Sequence, residues 1–495
     1  MNKIGFDSEK YIRMQSENIN KRITLFGNKL YLEFGGKLFD DHHASRVLPG
    51  FKPDNKLKML LELKDKAELL IVINANDIEK NKIRGDLGIT YDLDVLRLID
   101  AFRSVDLYVG SVVLTRYASQ PIADKFIKRL QDLGIKVYKH YTINGYPNDV
   151  DTILSEDGFG KNEYIETTRP LVIVTAPGPG SGKMATCLSQ LYHENKRGVK
   201  AGYAKFETFP IWNIPLKHPV NIAYEAATAD LNDVNMIDPY HLDAYGLTTV
   251  NYNRDIEIFP VLDATFKGIW GYSPYKSPTD MGVNMAGYCI TDDEVCKEAA
   301  KQEVVRRYLA ALCGRTQGIV PQATVNKLDT LMKGLNLTFA DRPVISAANQ
   351  KAAETSLPAA AIQLNDGRII TGKTSSLLGA SSALILNSLK ALADIPDDVD
   401  LIPPSLIVPI QHLKVDHLKN SNPRLHLDEL LIALTISATT SPYAEKAMDK
   451  IDELKGAEVH STVILSQVDE KMFKKLGINL TSNPVYQTKK LYHAN

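Results

Sequence analysis

The sequence predicts an α/β protein built on a doubly wound, mainly parallel sheet, and three observations carry that reading. From Glu68 to about Trp270, apolar runs of strand length alternate with segments of helical spacing. One of those runs, "PLVIVT" (170–175), enters a loop of glycines and prolines that opens directly into a helical segment. A second, shorter alternation follows after residue 344.

In chain order, "RITLFGNKLYLEFGGKLF" (22–39) reads as a hairpin or meander with glycine turns at Gly27 and Gly35-Gly36. "ELLIVINA" (68–75), "LYVGSVVLTRY" (107–117), "IKVYKHYTI" (135–143) and "VKAGYAKFET" (199–208) read as strands. "DLDVLRLIDAFRSV" (92–105), "PIADKFIKRLQDLG" (121–134) and "GKMATCLSQLYHEN" (182–195) have helical spacing. "IEIFPVLD" offers Asp263 at its end, but Pro260 speaks against a central strand. Beyond Thr291 the chain turns helical, and Arg306 and Arg307 are expected at the surface or in interdomain salt bridges. "RRYLAALC" carries more apolar surface than a linker requires, which predicts a homo-oligomer. From near Val344, "AAAIQLNDGRIITGKTS" gives two strands about an Asp-Gly turn. "SALILNSLKALADI" follows as a helix, "SLIVPI" as a strand, "YAEKAMDKIDELKG" as a helix and "EVHSTVILS" as a strand. The expected parts are a Rossmann-like or P-loop-like domain over 1–290, a helical connection over 291–343 and a three-layer α/β domain over 344–495.

The loop "TAPGPGSGKMAT" follows the order strand, glycine loop, helix that anion binding needs, because loop N–H groups and a helix N-terminus present positive charge. Gly178, Gly180 and Gly182 allow left-handed backbone and close approach, Ser181 offers a hydroxyl and Lys183 a point charge. These five residues are the expected phosphate site. Two departures from the Walker pattern matter: Pro177 replaces the first glycine, and Met184 replaces the hydroxyl that would hold Mg²⁺. Thr186, two residues on, points elsewhere on the helix. The alternative reading is a tight turn with a solvated lysine.

Candidate catalytic groups lie in "FDDHHASRVLPGF" (39–51), with Asp40, Asp41, His42, His43 and Arg46, and in "YKSPTDMGVNMAGY" (275–288), with Asp280 beside Ser277, Thr279 and Asn284. One of these two stretches is expected to form the wall opposite the loop. The alternatives are a polar loop with one capping aspartate and a plain connection. "DLNDVNMIDPYHLDAYG" (230–246) reads as a lid or as an acidic solvated loop.

Lys and Arg number 58 against 59 Asp and Glu, so bulk charge draws the chain neither to nucleic acid nor to membrane. No apolar run approaches the ~20 residues of a membrane helix, and the N-terminus lacks a signal core. Cys187, Cys289, Cys296 and Cys313 form no Cys-x-x-Cys pair, so no structural zinc or disulfide framework is expected and a cytoplasmic setting fits.

"FDDHHASRVLPGF", "TAPGPGSGKMATCLSQLYHE", "SPTDMGVNMAGYCITDDEVCKEAAKQEVVRRY" and "DGRIITGKTSSLLGASSALILNSLKALADI" resemble a bacterial family, domain of unknown function 1846, also called uncharacterised protein family 0371. The resemblance spans essentially the whole chain and implies kinship without an activity. Residues 344–495 also resemble the cytidine-deaminase-like fold, but Tyr443 and Lys446 occupy the two cysteine positions and the proton-shuttling glutamate is missing, which excludes zinc deamination. Lys373 and Ser375 are left as candidates for a metal-free site there. The functional expectation is an enzyme binding a phosphorylated metabolite or nucleotide at 178–183, its cofactor and reaction class open. The alternative is a non-catalytic ligand-sensing or scaffold protein.

Overall fold

The structure, a computed structural model, describes residues 3–36, 38, 39, 41–84 and 87–488. Two compact units emerge from its packing, one made mainly of residues 4–225 and 232–297 and the other mainly of 298–495.

The larger unit is organised by a seven-stranded parallel sheet. Strands β1 (Leu30–Phe34), β2 (Ala67–Asn74), β3 (Val109–Tyr117), β4 (Lys136–Tyr141), β5 (Leu171–Thr175), β6 (Gly202–Phe206) and β7 (Gly282–Val283) lie in the order β7-β6-β1-β5-β2-β3-β4. Every position of β1, β2 and β5 is buried, as expected for a sheet covered by helices on both faces. Helix α1 (Ser8–Leu25) precedes β1, and Asp7 caps it by accepting from Lys10 N–H at 2.9 Å. Short α2 (His42–Val47) follows β1, α3 (Lys183–Lys196) follows β5, and α4 (Asn253–Trp270) leads toward β7.

Three local expectations are corrected. No hairpin spans 22–39: α1 ends near Leu25, a left-handed pair at Gly27 and Asn28 reverses the chain, and "LYLEF" enters the centre of the sheet. A short apolar run between glycines looks the same whether its partner is adjacent in sequence or a distant parallel strand. "IEIFPVLD" is helical, because Ile256, Phe259, Leu262 and Phe266 repeat at helical spacing and α4 accommodates Pro260 inside it. Asp263 there pairs with Lys267 one turn on, at 2.6 Å, and does not stand at a strand end. "SLIVPI" lies in helix Pro404–His412, started by a proline whose fixed φ suits the first turn.

The smaller unit holds a mixed sheet of β8 (Ala359–Gln363), β9 (Ile369–Lys373), β10 (Glu458–Ser461) and β11 (Asn479–Ser482), in the order β9-β8-β10-β11. The Asp-Gly turn joins β8 and β9 antiparallel, and only β10 and β11 run parallel. Leu384, Ile385, Leu389, Leu430 and Leu434 from its helices pack with Val459 and Phe473 in one core. Arg306 is not at the surface. It is buried, bonded to Glu303 and, at 2.7 Å, to Glu458. Leu309 and Ala311 of "RRYLAALC", on which the homo-oligomer expectation leans, are buried within the chain itself.

Candidate functional site

Parallel sheets bind ligands outside the carboxyl ends of their strands, where neighbouring connections leave in opposite directions. Here β2 sends the chain outward to β3, while its neighbour β5 sends it back past β1 to β6. The crevice between them is therefore the topological switch point, and the 176–182 loop lies there.

The loop is shaped by contacts it makes with itself and with β3. Gly180 (φ 72°) and Gly182 (φ 93°) are left-handed, and Gly182 is the cap from which α3 starts. Gly178 is needed for a different reason: a Cβ there would lie 2.4 Å from Tyr91 Oη. Ser181 does not hold its hydroxyl proton out for a ligand but donates to the Gly178 carbonyl at 2.7 Å. Thr115 donates to the Ser181 carbonyl at 2.6 Å and ties the loop to the end of β3. No side chain caps α3 and its first turn carries no acid, so its leading N–H groups have no side-chain acceptor there.

A cavity of about 490 Å³ opens over these groups. Gly180 to Ala185 form one side. The other is built by Asn76 after β2, Arg116 at the end of β3, His140 to Ile143 at the end of β4, and Tyr146, with Glu33 of β1 also in the lining. Met184 is in the lining and brings no oxygen to hold a metal. Arg116 has φ 51°, a left-handed conformation that costs an arginine ~1–2 kcal/mol and that tends to mark functional positions. Gln120 holds that turn by donating to the Arg116 carbonyl and accepting from Ala118 N–H. Glu33 is buried and accepts from Tyr203 Oη at 2.7 Å. Burial pushes the Cys187 thiol well above its ordinary value, which removes it as a nucleophile.

His140 is buried, and burial pulls its pKa down to about 4, against the bond its Nε2 makes to the Glu163 carbonyl at 3.2 Å. The ring is therefore neutral, with its proton on Nε2. The unfolded chain takes up that proton at higher pH than the folded one. The neutral ring thus contributes stability that is complete above about pH 6.5 and is lost as pH falls toward 4. The full loss is about 3 kcal/mol. Chemical denaturation from pH 7 to 4 should show a shallower fall for His140→Asn than for wild type, and parallel curves would refute the assignment.

The remaining sequence candidates lie elsewhere. Asp41 caps α2 by accepting from Ala44 N–H and pairs with Lys56 at 2.7 Å. Burial raises its carboxyl, but Lys56 and the N–H outweigh burial and hold it below the usual range. His42 is exposed, His43 packs edge-on against Phe209 and Tyr224, and Arg46 is half-buried. None of Asp41, His42, His43 and Arg46 lines the cavity, and Asp40 lies outside the described residues. Asp280 lines a separate cavity with Ser277's partner His241 and with Thr279 and Asn284. Among the described residues, none of 39–51 or 275–288 lines this cavity, whereas the ends of β3 and β4 do. Sequence patterning misses Arg116, His140 and Glu33. Their one signal is position, near the end of a predicted parallel strand.

Among the described residues no group of three or more His, Cys, Asp and Glu side chains is placed to hold a metal ion, and no helix is long and apolar enough to cross a membrane. A parallel sheet with a glycine loop at its switch point defines an α/β protein with a crevice at the carboxyl ends of its strands. "Domain of unknown function DUF1846, N-terminal" matches residues 4–336 and its C-terminal counterpart residues 340–492. A UPF0371 protein of Streptococcus pyogenes serotype M5 is 57% identical over 492 residues, which is 99% of this chain and all of that relative. A UPF0371 protein of Streptococcus pneumoniae strain JJA has the same identity and coverage. The chain belongs to this uncharacterised family, DUF1846 or UPF0371. The cytidine-deaminase-like resemblance of 344–495 is not confirmed by these matches.

Proposed function

We propose that the crevice over Gly180, Ser181, Gly182 and Lys183, with Gly178 shaping the loop against Tyr91 outside the lining, binds a phosphate-bearing small molecule, a phosphorylated metabolite or a nucleotide, without a Walker-type Mg²⁺ site. The observation that carries this reading is a pair of cations. Lys183 and Arg116 line one cavity beside an uncapped helix N-terminus, and neither makes an ion pair among the described residues. Glu33 and neutral His140 in the same lining supply a carboxylate and an imidazole, which suits an enzyme. A ligand-sensing or scaffold role is the second reading, favoured by the absence of Asp41, His42, His43 and Arg46 from the lining. Four free thiols and balanced charge suit a cytoplasmic protein with neither nucleic acid nor membrane as partner.

Thermal-shift titration with inorganic phosphate, nucleoside mono- and triphosphates and hexose phosphates, with and without Mg²⁺, tests the reading. A ligand at 100 times its Kd stabilises by about 2.7 kcal/mol, so at least one of these should raise Tm without Mg²⁺. No shift with any of them would remove the proposal.

A further inference from the structure

At the other limb of the sheet, beyond β6 and β7, a second cavity of about 220 Å³ is lined by α1, helix Pro239–Tyr245 and the segment 279–285. We propose that it binds an uncharged, hydroxyl-rich small molecule the size of a single sugar ring, with Asp280 and Glu207 accepting its hydroxyl protons and Trp212 forming an apolar wall. This site is independent of the anion crevice.

The balance of donors and acceptors points to that class. The cations around the cavity are already committed. Arg22 donates to the carbonyls of Asp280 and Gly282, and Lys205 is shared between Glu207 and Asp255. Asp280 and Glu207 in the same lining repel a phosphate. Three side-chain donors in the wall are engaged: Asn284 Nδ2 on the Pro210 carbonyl at 2.9 Å, Trp212 Nε1 on the Asn284 carbonyl at 2.6 Å, and Thr279 Oγ1 on Asp238 at 2.6 Å.

Acceptors remain. Asp280 Oδ2 takes Tyr245 Oη–H and Lys276 N–H, both at 2.9 Å, which fixes the carboxylate in place. Its Oδ1 has only His241 Nδ1 at 3.7 Å, beyond hydrogen-bond reach. Glu207 also lines the cavity, but its Oε1 is enclosed 2.8 Å from Lys205 Nζ, so the part of the side chain that meets the cavity is the remainder, 11% exposed. Burial, opposed by Lys205 and reinforced by Asp255, pushes the Glu207 carboxyl up to about 7. Asp280, Glu207 and Asp255 face Arg22 and Lys205, and the raised Glu207 carboxyl brings the group close to neutral, so a neutral donor fits better than an ammonium ion. Trp212 supplies apolar surface to the lining. The volume is below the ~300–1,000 Å³ of pockets that take drug-sized ligands, which limits the occupant to one ring.

Saturation-transfer NMR tests this with glucose, galactose, N-acetylglucosamine, myo-inositol and, as the charged control, ethylammonium, against wild type, Asp280→Asn and Glu207→Gln. The expected result is transfer to at least one neutral probe from wild type, with affinity reduced at least ten-fold in both variants and any phosphate response of the crevice unchanged. Near-UV circular dichroism verifies that each variant is folded. If Glu207→Gln unfolds, Asp280→Asn decides alone, since its carboxylate lies at the rim. No transfer to any neutral probe, unchanged affinity in the folded variants, or tighter binding of ethylammonium would each overturn the proposal.

Discussion

Arg116→Gly is expected to leave the fold intact while costing the crevice roughly ten- to a hundred-fold in affinity for the proposed phosphate-bearing ligand. Two opposing backbone effects set the stability. Glycine relieves the left-handed strain at φ 51° but gives the unfolded chain more freedom, so the net change stays within about 1 kcal/mol. The binding effect has no such compensation. The guanidinium is one of two cations over the glycine loop, and losing one charge-assisted contact costs about 1.5–3 kcal/mol. Lys183→Ala should lose a similar amount, for alanine is fully compatible with the first helical position. Met184→Ser should bind as wild type does when Mg²⁺ is absent, because the backbone donors are untouched. Calorimetric titration of the three variants with the strongest thermal-shift ligand reads all of this. If Lys183→Ala binds as tightly as wild type, the loop is only a turn; if Arg116→Gly alone does, the ends of β3 and β4 are not part of the site.

Arg342→Ala should cost the protein far more stability than any of the crevice substitutions. The guanidinium is 1% exposed and bridges helix, strand and loop of the smaller unit. It pairs with Glu458, donates to the Val459 carbonyl at 3.1 Å and the Asn479 carbonyl at 3.0 Å, and reaches Thr481 Oγ1 at 3.2 Å. Alanine leaves two buried carbonyls without that donor and Glu458 with Arg306 as its remaining cationic partner. Removing one member of a buried ion pair costs about 3–5 kcal/mol, so the transition of this unit should fall by roughly 10 °C at about 2–4 °C per kcal/mol. Glu458 itself is raised by burial, but Arg306 and Arg342 outweigh that and hold it below the usual range. The pair is therefore fully present above the ordinary glutamate pKa and weakens only as pH falls through the depressed one. Differential scanning calorimetry at pH 7 measures the effect, and a shift below about 3 °C, under the ~2–4 °C expected for each kcal/mol, would show that this network contributes little.

Local patterning alone determined the α/β class, the glycine loop between strand and helix, and the hairpin about Asp366-Gly367, whose glycine takes φ 90°. Each is encoded within a short window of sequence: apolar period, glycine at a turn, helix spacing. Local patterning failed where the same window permits two answers. "LYLEF" became an inner strand of a sheet and "SLIVPI" a helix, because partners far along the chain decide whether a short apolar run is strand or helix. The membership of the candidate site was decided by tertiary structure almost entirely. Gly180 to Lys183 are contiguous, so their cluster was legible. Glu33, Arg116 and His140 come together only because β1, β3 and β4 lie in one parallel sheet with their carboxyl ends on the same edge. Asp41 and His42, adjacent in sequence and chemically suggestive, were drawn instead into a helix cap and to the surface. Side chains that act together must converge in space, and sequence proximity on a helix start makes them diverge.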